Sequence, residues 1–178
     1  YDPRKCYTGR SVLEAAGVGV ILKEGEVSLR VNLCAVVDTP NGLVIRSHNG
    51  GGVEGDEAET LMRSLVSHPD YRAIAQETGL SITISRSFRH IGVLRGPVPN
   101  DAAFSLTEPH SVLDQAIDGC WPKGYLAREI EALMRVSYNI LDSHPINISR
   151  RERGLLPANM VWPWGPGRAI ELPSFQEK

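Results

Sequence analysis

The stretch EVSLRVNLCAVVD, residues 26–38, decides how the rest of the sequence is interpreted. Polar and apolar residues alternate in its first half and an apolar run with valines follows, which is typical of a β-strand that enters a protein core. Because successive side chains of a strand point to opposite faces, this strand has one polar and one apolar face. The polar face carries Ser28, Arg30 and Asn32, and the apolar face carries Val27, Leu29, Val31 and Leu33.

The segments directly after this strand predict a hairpin and a helix. The turn sequence PNG at residues 40–42 leads into LVIRS, which predicts that the chain returns as a second antiparallel strand. Asp56 is followed three residues later by Glu59, and this spacing predicts a capping box at the start of a helix. Apolar residues then recur on one side of that helix, so we expect it to pack against the sheet.

A second helix and a further pair of β-rich runs come next. The segment HPDYRAIAQETG at residues 68–79 predicts a second short helix or an extension of the first, with Pro69 in a first turn and Gly79 as the C-cap. Residues 80–87 and 88–96 are rich in β-branched and aromatic residues, which predicts one bent strand or a tight pair of strands.

The clearest helix is predicted in YLAREIEALMRVSYNILDS, residues 125–143. Its apolar residues fall on one stripe, whereas Glu131 and Arg135 stand at the supporting i,i+4 spacing on the solvent side. Helices and hairpins in this order predict an α+β fold, with a mixed, mostly antiparallel sheet and helices packed mainly on one face. The residues of the stripe are Leu126, Ile130, Leu133, Met134 and Leu141.

Composition limits the class of protein. A length of 178 residues predicts one domain, and a net charge of −2 argues against a general nucleic-acid binder. The three cysteines stand far apart with no CxxC spacing, which favours reduced thiols in a cytoplasmic protein. No apolar run approaches the length of a membrane span. The chain starts without methionine and stops in a polar segment, so we expect a piece of a longer protein.

The sequence contains no self-contained catalytic motif. Its five histidines are never paired at i,i+4 or in HxH spacing, and we find no GxSxG motif and no P-loop. The glycine run HNGGGVEG at residues 48–55 either holds an anion with backbone N–H groups or forms a loop from hairpin to helix. The second interpretation is favoured, because no lysine or serine stands at P-loop spacing.

Arginine is the residue type that stands out, with 15 of the 19 basic residues against four lysines. A guanidinium offers a rigid fork that matches a carboxylate or phosphate. Arg30 lies inside an otherwise apolar strand, where its face is either solvated or directed at a ligand, and the spacing alone leaves both open. Arg10 and Arg89 also stand in unusual settings, and Arg150 and Arg153 lie within HPINISRRERGLLPANMVWPWG, residues 144–165.

Taken together, several blocks resemble one known family. They are YDPRKCYTGRSVLEAAGVGV, EVSLRVNL, SFRHIGVLRG, HPINISR followed by GLLPANMVWPWGPGR, and LPSFQEK. In this order they are similar to the archaeal-type, cofactor-independent (2,3-bisphosphoglycerate-independent) phosphoglycerate mutases of the alkaline phosphatase superfamily. The resemblance runs over nearly the whole chain.

The resemblance implies a division of labour between two parts of a longer enzyme. Residues 1–178 look like the single cap domain, with short flanks, that the family inserts into a metal-binding phosphatase-like domain. The catalytic nucleophile and two divalent metals, manganese or zinc, are then expected in that other domain, and no catalytic or metal-binding residue in this chain. The implied reaction interconverts 3-phosphoglycerate and 2-phosphoglycerate through a phospho-enzyme.

The cap is expected to close over a small phosphorylated hydroxy acid, with the metal-binding domain of the same protein as its partner and with no nucleic acid or membrane bound. A related phosphotransferase, such as a proposed homoserine kinase, and a non-catalytic α+β binding module remain as alternatives. Trp162 and Trp164 are expected to pack the wall of the site rather than to touch the ligand. The predicted substrate-binding residues are Arg10, Arg30, Arg89, His90, His144, Asn147, Arg150 and Asn159.

Overall fold

The structure is a computed structural model that describes residues 10–168. The predicted hairpin, the two helices after it, the pair of β-rich runs and the long helix all form in the predicted order, whereas the helices at residues 10–17 and 145–152 and the strands at residues 104–105, 123–124 and 160–168 were not predicted. The elements are α1 (Arg10–Gly17), β1 (Val27–Thr39), β2 (Gly42–Ser47), α2 (Gly55–Ser67), α3 (Pro69–Thr78), β3 (Leu80–Thr83), β4 (Arg89–Leu94), β5 (Phe104–Ser105), β6 (Lys123–Gly124), α4 (Ala127–Leu141), α5 (Pro145–Glu152) and β7 (Met160–Arg168).

The long strand β1 is the centre of the main sheet. Residues 27–32 of β1 pair with β4 along one edge and with β7 along the other, and residues 35–39 pair with β2. Strand β3 joins the sheet through β4. All of these pairings are antiparallel, so the predicted α+β class and the mostly antiparallel sheet are confirmed.

The apolar face of β1 forms the main core, as the alternation predicts. Its four apolar side chains pack with buried residues of α2, α3 and α4, for which Leu61, Tyr71 and Leu133 are examples. Burying each side chain of this size stabilises the fold by about 1.5–3 kcal/mol. Helix α1 lies on the opposite face, where Ala15 packs with Ile91 and Val93 of β4. The helices are therefore mainly, though not all, on one side of the sheet.

Most of the predicted boundaries of secondary structure are confirmed. Helix α3 begins at Pro69 and ends before Gly79, whose φ of 72° is left-handed and whose N–H bonds to the last turn. The β-rich runs form the tight pair β3 and β4, with Ile82 opposite Gly92. Four residues of the predicted stripe, Ile130, Leu133, Met134 and Leu141, are buried in α4, whereas Leu126 is the partly buried N-cap residue. Arg135 Nε donates to Glu131 Oε1 at 2.8 Å on the outer side of the helix.

The predicted capping box at the start of α2 is wrong. The helix begins at Gly55, and its N-cap residue Glu54 forms no side-chain capping bond. Glu59 instead accepts hydrogen bonds from Arg63, one turn later, and from Arg86. Because the helix begins before Asp56, this residue lies inside the helix and is not its N-cap. The bonds of Glu59 with the two guanidiniums are charge-assisted.

Cys34 and Cys120 are buried and free, whereas Cys6 lies outside the described residues. Burial raises the pKa of the Cys34 thiol far above its usual range, so this group stays protonated. Within residues 10–168 we find no helix long and apolar enough to cross a membrane.

Candidate functional site

The polar face of β1 is buried rather than solvated. Arg30 is only 8% exposed, and Ser28 and Asn32 are completely buried, because α1 and neighbouring loops cover this face. The Ser28 hydroxyl donates to Ser11 Oγ of α1 at 2.8 Å. Asn32 Nδ2 donates to the backbone carbonyl of His48 at 2.9 Å. Polar groups are costly to bury unless they are bonded, so the face is an organised polar layer.

Two arginines meet one carboxylate on this layer. Arg30 Nε donates to Glu14 Oε2 at 3.0 Å, and Arg30 Nη2 donates to Glu14 Oε1. Arg89 Nη1 lies 3.6 Å from Glu14 Oε1. Two guanidiniums and one carboxylate leave one positive charge unbalanced. In addition, the buried Arg89 Nε has no hydrogen-bond partner within the described part of the chain, so it is available to an anion.

Aromatic rings complete a closed series of contacts that includes both arginines. The Arg89 guanidinium lies 5.3 Å from the Phe88 ring, which is 6.1 Å from His48. His48 is 6.3 Å from His110, and the Arg30 guanidinium lies 4.8 Å from the Trp164 ring. His110 and Trp164 are 5.3 Å apart. Together with Asn32, whose Oδ1 accepts from Trp164 Nε1, these residues form what we call the Arg–His cluster: Glu14, Arg30, Asn32, His48, Phe88, Arg89, His110 and Trp164.

Two cavities open at the Arg–His cluster. The larger, about 430 Å³, is lined by Glu14 and Arg89 together with Ser85 and Ser87. The smaller, about 180 Å³, is lined by Arg10, Arg30, Glu108 and Trp164 among others. A cleft with an apolar wall and a few convergent charged groups is the usual form of a small-molecule site.

The imidazoles of the cluster differ in their surroundings. Burial lowers the pKa of His48, and the nearby positive charges of His110 and Arg89 lower it further. His110 Nε2 lies 3.0 Å from Glu108 Oε2 and is therefore already engaged with a carboxylate. At neutral pH His48 is thus the more available proton acceptor of the two.

The predicted residues Arg10, Arg30 and Arg89 are brought together, but His90 is not. His90 pairs with Val31 across β1 and β4, so its side chain lies on the apolar face, opposite to Arg89. Its Nδ1 accepts from the Ser85 N–H at 3.0 Å, and Nε2 has no partner within residues 10–168. Burial lowers the pKa of His90 to about 4.

Arg150 belongs to a second, separate group of contacts, although the sequence predicts it to bind substrate. It is 3% exposed and donates to Glu57 and to the carbonyl oxygens of Gly50, Gly51 and Leu156. Gly50 has a φ of 61°, and a Cβ there would meet Leu33 O at 2.8 Å. The glycine run is therefore a loop fixed by Arg150.

The other three predicted residues lie near Arg150, and their polar atoms are bonded inside the protein. Asn147 Nδ2 donates to the carbonyls of Leu141 and Ala158, and its Oδ1 accepts from the Ala158 N–H. Asn159 bonds both the N–H and the C=O of Val36. His144 caps α5 by accepting from the Ile146 N–H, and its Nε2 lies 3.1 Å from Ser64 Oγ. Their role in binding substrate stays a prediction.

Sequence reasoning missed several members of the cluster: Glu14, Asn32, His48, Phe88 and His110. They come from separate elements, so no spacing along the chain links them. The one available signal was the strand alternation, which put Asn32 beside Arg30. Glu14 was out of reach because α1 had not been predicted, and its carboxylate is recognised only from its position over both guanidiniums.

The comparisons with known proteins identify the family. Residues 1–147 match the family described as 2,3-bisphosphoglycerate-independent phosphoglycerate mutase. The chain belongs to this family. It is 34% identical over 178 residues to a probable 2,3-bisphosphoglycerate-independent phosphoglycerate mutase of Geobacter sulfurreducens, and 34% identical over 177 residues to the mutase of Methanosarcina mazei.

This mutase-family chain spans 42% of the length of each of these two relatives, although 99–100% of the chain itself is matched. The fold is also that of a solved structure, the cofactor-independent phosphoglycerate mutase from Thermoplasma acidophilum, with a TM-score of 0.70 and 24% identity. That match covers the whole of this chain and 46% of the other.

The metals expected for the family find no site among the residues described here. Within residues 10–168 no group of three or more His, Cys, Asp or Glu side chains could hold a metal ion. The cluster fits an anion instead, because its unbalanced charge is positive. We therefore derive no metal chemistry from this chain.

Proposed function

We propose that this chain is the substrate-capping domain of a cofactor-independent phosphoglycerate mutase that interconverts 3-phosphoglycerate and 2-phosphoglycerate. The nucleophile and the divalent metals, manganese or zinc, then belong to another part of the full-length protein. The observation that carries the proposal is the pair Arg30 and Arg89, which share the Glu14 carboxylate on a buried polar face and retain one positive charge.

That charge suits the carboxylate of the substrate. Arg89 Nε is a buried donor without a partner in the described residues, and a buried donor gains a charge-assisted bond when a carboxylate arrives. Arg10 lines the same cavity as Arg30 and supplies a further guanidinium for an anion. The alternative in which the arginines only solubilise a surface is not favoured, because Arg30 is 8% exposed.

The first helix meets the last described strand beside the smaller cavity. Ser28 of β1 bonds both to Ser11 at the start of α1 and to the carbonyl of Gly167 in β7. Arg10 and Gly165 line this cavity together with Arg30. This edge of the domain therefore carries charged groups that suit a ligand, and a domain with such groups at one edge can close over a ligand as a unit.

The test uses the full-length protein, assayed for mutase activity with added manganese. We expect Arg30→Ala and Arg89→Ala each to lower kcat/KM by about 10- to 100-fold, the range expected for losing a hydrogen bond to a charged group. Arg128→Ala, which changes an exposed arginine of α4, is the matched control and should stay near wild type.

Each result has a distinct meaning. If the wild-type protein is active and both variants are unaffected, the mutase proposal holds and the assignment of the arginines is wrong. If the wild-type protein is inactive on phosphoglycerates but phosphorylates homoserine, the related phosphotransferase replaces the mutase as the function.

A further inference from the structure

His48 differs from the other histidines in what its ring contacts. His68, His90 and His144 each accept a backbone N–H on Nδ1, and His110 contacts the Glu108 carboxylate. The His48 ring nitrogens form no hydrogen bond within residues 10–168. The ring is partly exposed, so these nitrogens can reach a ligand.

The backbone of His48 is nevertheless held firmly. The residue follows directly after β2, and its carbonyl oxygen accepts from Asn32 Nδ2 at 2.9 Å and from Cys34 Sγ at 3.6 Å. Its ring stands edge-on to Phe88 and His110. A residue whose backbone is fixed, and whose ring nitrogens are not used in hydrogen bonds among the described residues, is suited to act on a bound molecule rather than to stabilise the fold.

The charges around His48 favour its neutral form. Burial, His110 and Arg89 all lower its pKa, and the other charged groups of the cluster are Arg30 and Glu14, which are paired with each other. Glu108 is engaged by His110. The neutral form of His48 is therefore favoured, and its unprotonated ring nitrogen can take a proton from a hydroxyl group.

The mutase reaction, on which this inference rests, needs such a group. When the phosphoryl group leaves one hydroxyl oxygen of glycerate, a P–O bond breaks and that oxygen gains a proton. When the neighbouring hydroxyl takes the phosphoryl group back, it loses its proton as the new P–O bond forms. One proton is taken up by the oxygen that the phosphoryl group leaves, and one is released by the hydroxyl that accepts it. A neutral base that takes the proton from the accepting hydroxyl and passes it to the other oxygen therefore balances the cycle and returns to its neutral form.

We propose that His48 is this proton carrier and that it contacts the hydroxyl groups of the bound glycerate. Arg30 and Arg89 hold the carboxylate, and the His48 ring then faces the adjacent carbons from the same cluster. His110 contacts both the Glu108 carboxylate and the edge of the His48 ring, and it acts as a positioning residue that holds the orientation of that ring.

The experiment compares His48→Ala and His48→Gln with wild type in the full-length protein. Removing a general acid–base group typically costs about 100- to 10,000-fold, so we expect kcat to fall by at least about 100-fold while KM changes less than about threefold. Added imidazole should restore part of the activity of His48→Ala, because it can occupy the space that the side chain leaves. His68→Ala, at the exposed N-cap of α3, is the matched control and should not respond to imidazole.

The outcomes separate the two proposals. An inactive wild-type protein rejects the mutase function, and the role of His48 with it. An active wild-type protein with a fully active His48→Ala rejects only the role of His48. A rise in KM at unchanged kcat makes His48 a binding group, and a fall in kcat that imidazole does not restore also overturns the proposal. Equal urea midpoints of the variants and wild type show that the fold is retained.

Discussion

Two buried arginines with glutamate partners show how differently the same residue pair can be used. Arg30 and Arg150 are 8% and 3% exposed, and their partners Glu14 and Glu57 are exposed to similar extents, with side chains at 31% and 33%. Arg150 also donates to three backbone carbonyls. Arg30 instead stacks on Trp164 and lies beside Arg89, whose buried Nε has no hydrogen-bond partner among residues 10–168. The exposed fraction of an arginine therefore does not reveal its role. The number of its N–H donors that are bonded inside the protein reveals it.

The largest expected effect tests the structural side of this comparison. Arg150→Ala leaves the carbonyls of Gly50, Gly51 and Leu156 without their Arg150 donors, and it leaves Glu57 with its bond from Arg153. Breaking a buried ion pair in this way costs about 3–5 kcal/mol of unfolding free energy. Urea unfolding followed by tryptophan fluorescence measures the loss, and a loss below about 1 kcal/mol would contradict the structural role.

The second prediction concerns His90, which lies on the opposite face from Arg89. Its folded-state pKa of about 4 is below the ordinary value of 6.5, so the unfolded chain binds more protons between these two pH values. The contribution of His90 to stability is therefore complete well above pH 6.5 and is lost as the pH falls through 6.5 toward 4, by a total on the order of 3 kcal/mol.

His90→Asn is the matched variant, because the Asn Oδ1 can still accept from the Ser85 N–H but cannot titrate in this range. Unfolding free energies measured at several pH values should show a shallower slope in the variant than in wild type. Equal slopes would show that the acid loss of stability comes from other groups.

A smaller effect is expected for Asn159, whose side chain bonds both backbone groups of Val36 and also Asp142. Asn159→Ala removes these bonds and should cost about 1–3 kcal/mol of unfolding free energy. If Asn159 only stabilises the fold, the KM of the full-length enzyme should stay within about twofold of the wild-type value, because the free energy of substrate binding does not change. A KM that rises more strongly would restore Asn159 to the substrate site.

The smallest effect is expected for Arg46 and Asp114. They form an arginine–carboxylate pair like those of Arg30 and Arg150, but this pair is exposed. Arg46 Nη1 donates to Asp114 Oδ1 at 2.7 Å, but the two side chains are 42% and 69% exposed. Exposed pairs contribute about 0–1 kcal/mol, so Arg46→Ala should change the urea midpoint very little. A large loss would show that distance, rather than burial, governs these pairs.

Much of the fold follows from local patterns, and the site follows only in part. Strand alternation correctly separates the apolar face of β1 from Arg30 and Asn32, because a period of two is a property of the backbone itself. The same rule, applied to Arg89 and His90, would have placed them on opposite faces. The family motif instead grouped them as neighbours in sequence.

What the sequence could not reveal is which distant groups meet. The partners Glu14 and Glu57 lie 16 and 93 residues from Arg30 and Arg150, and nothing local distinguishes these glutamates from the others. The capping box failed for a local reason, since the helix begins at Gly55 and includes Asp56. The contact of Glu59 with Arg86, 27 residues away, is a further example of a partner that the sequence does not reveal.

The central position of β1 has a consequence for hydrogen exchange. Residues 27–32 are paired with β4 on one edge and, apart from Leu29 at an irregularity in the register, with β7 on the other. Most of their amide hydrogens therefore cannot reach solvent unless one of these neighbours detaches. Exchange at these amides in deuterated water should be the slowest in the chain and should report its global opening. Arg30 and Asn32 of the Arg–His cluster therefore lie in the segment of the sheet that opens last.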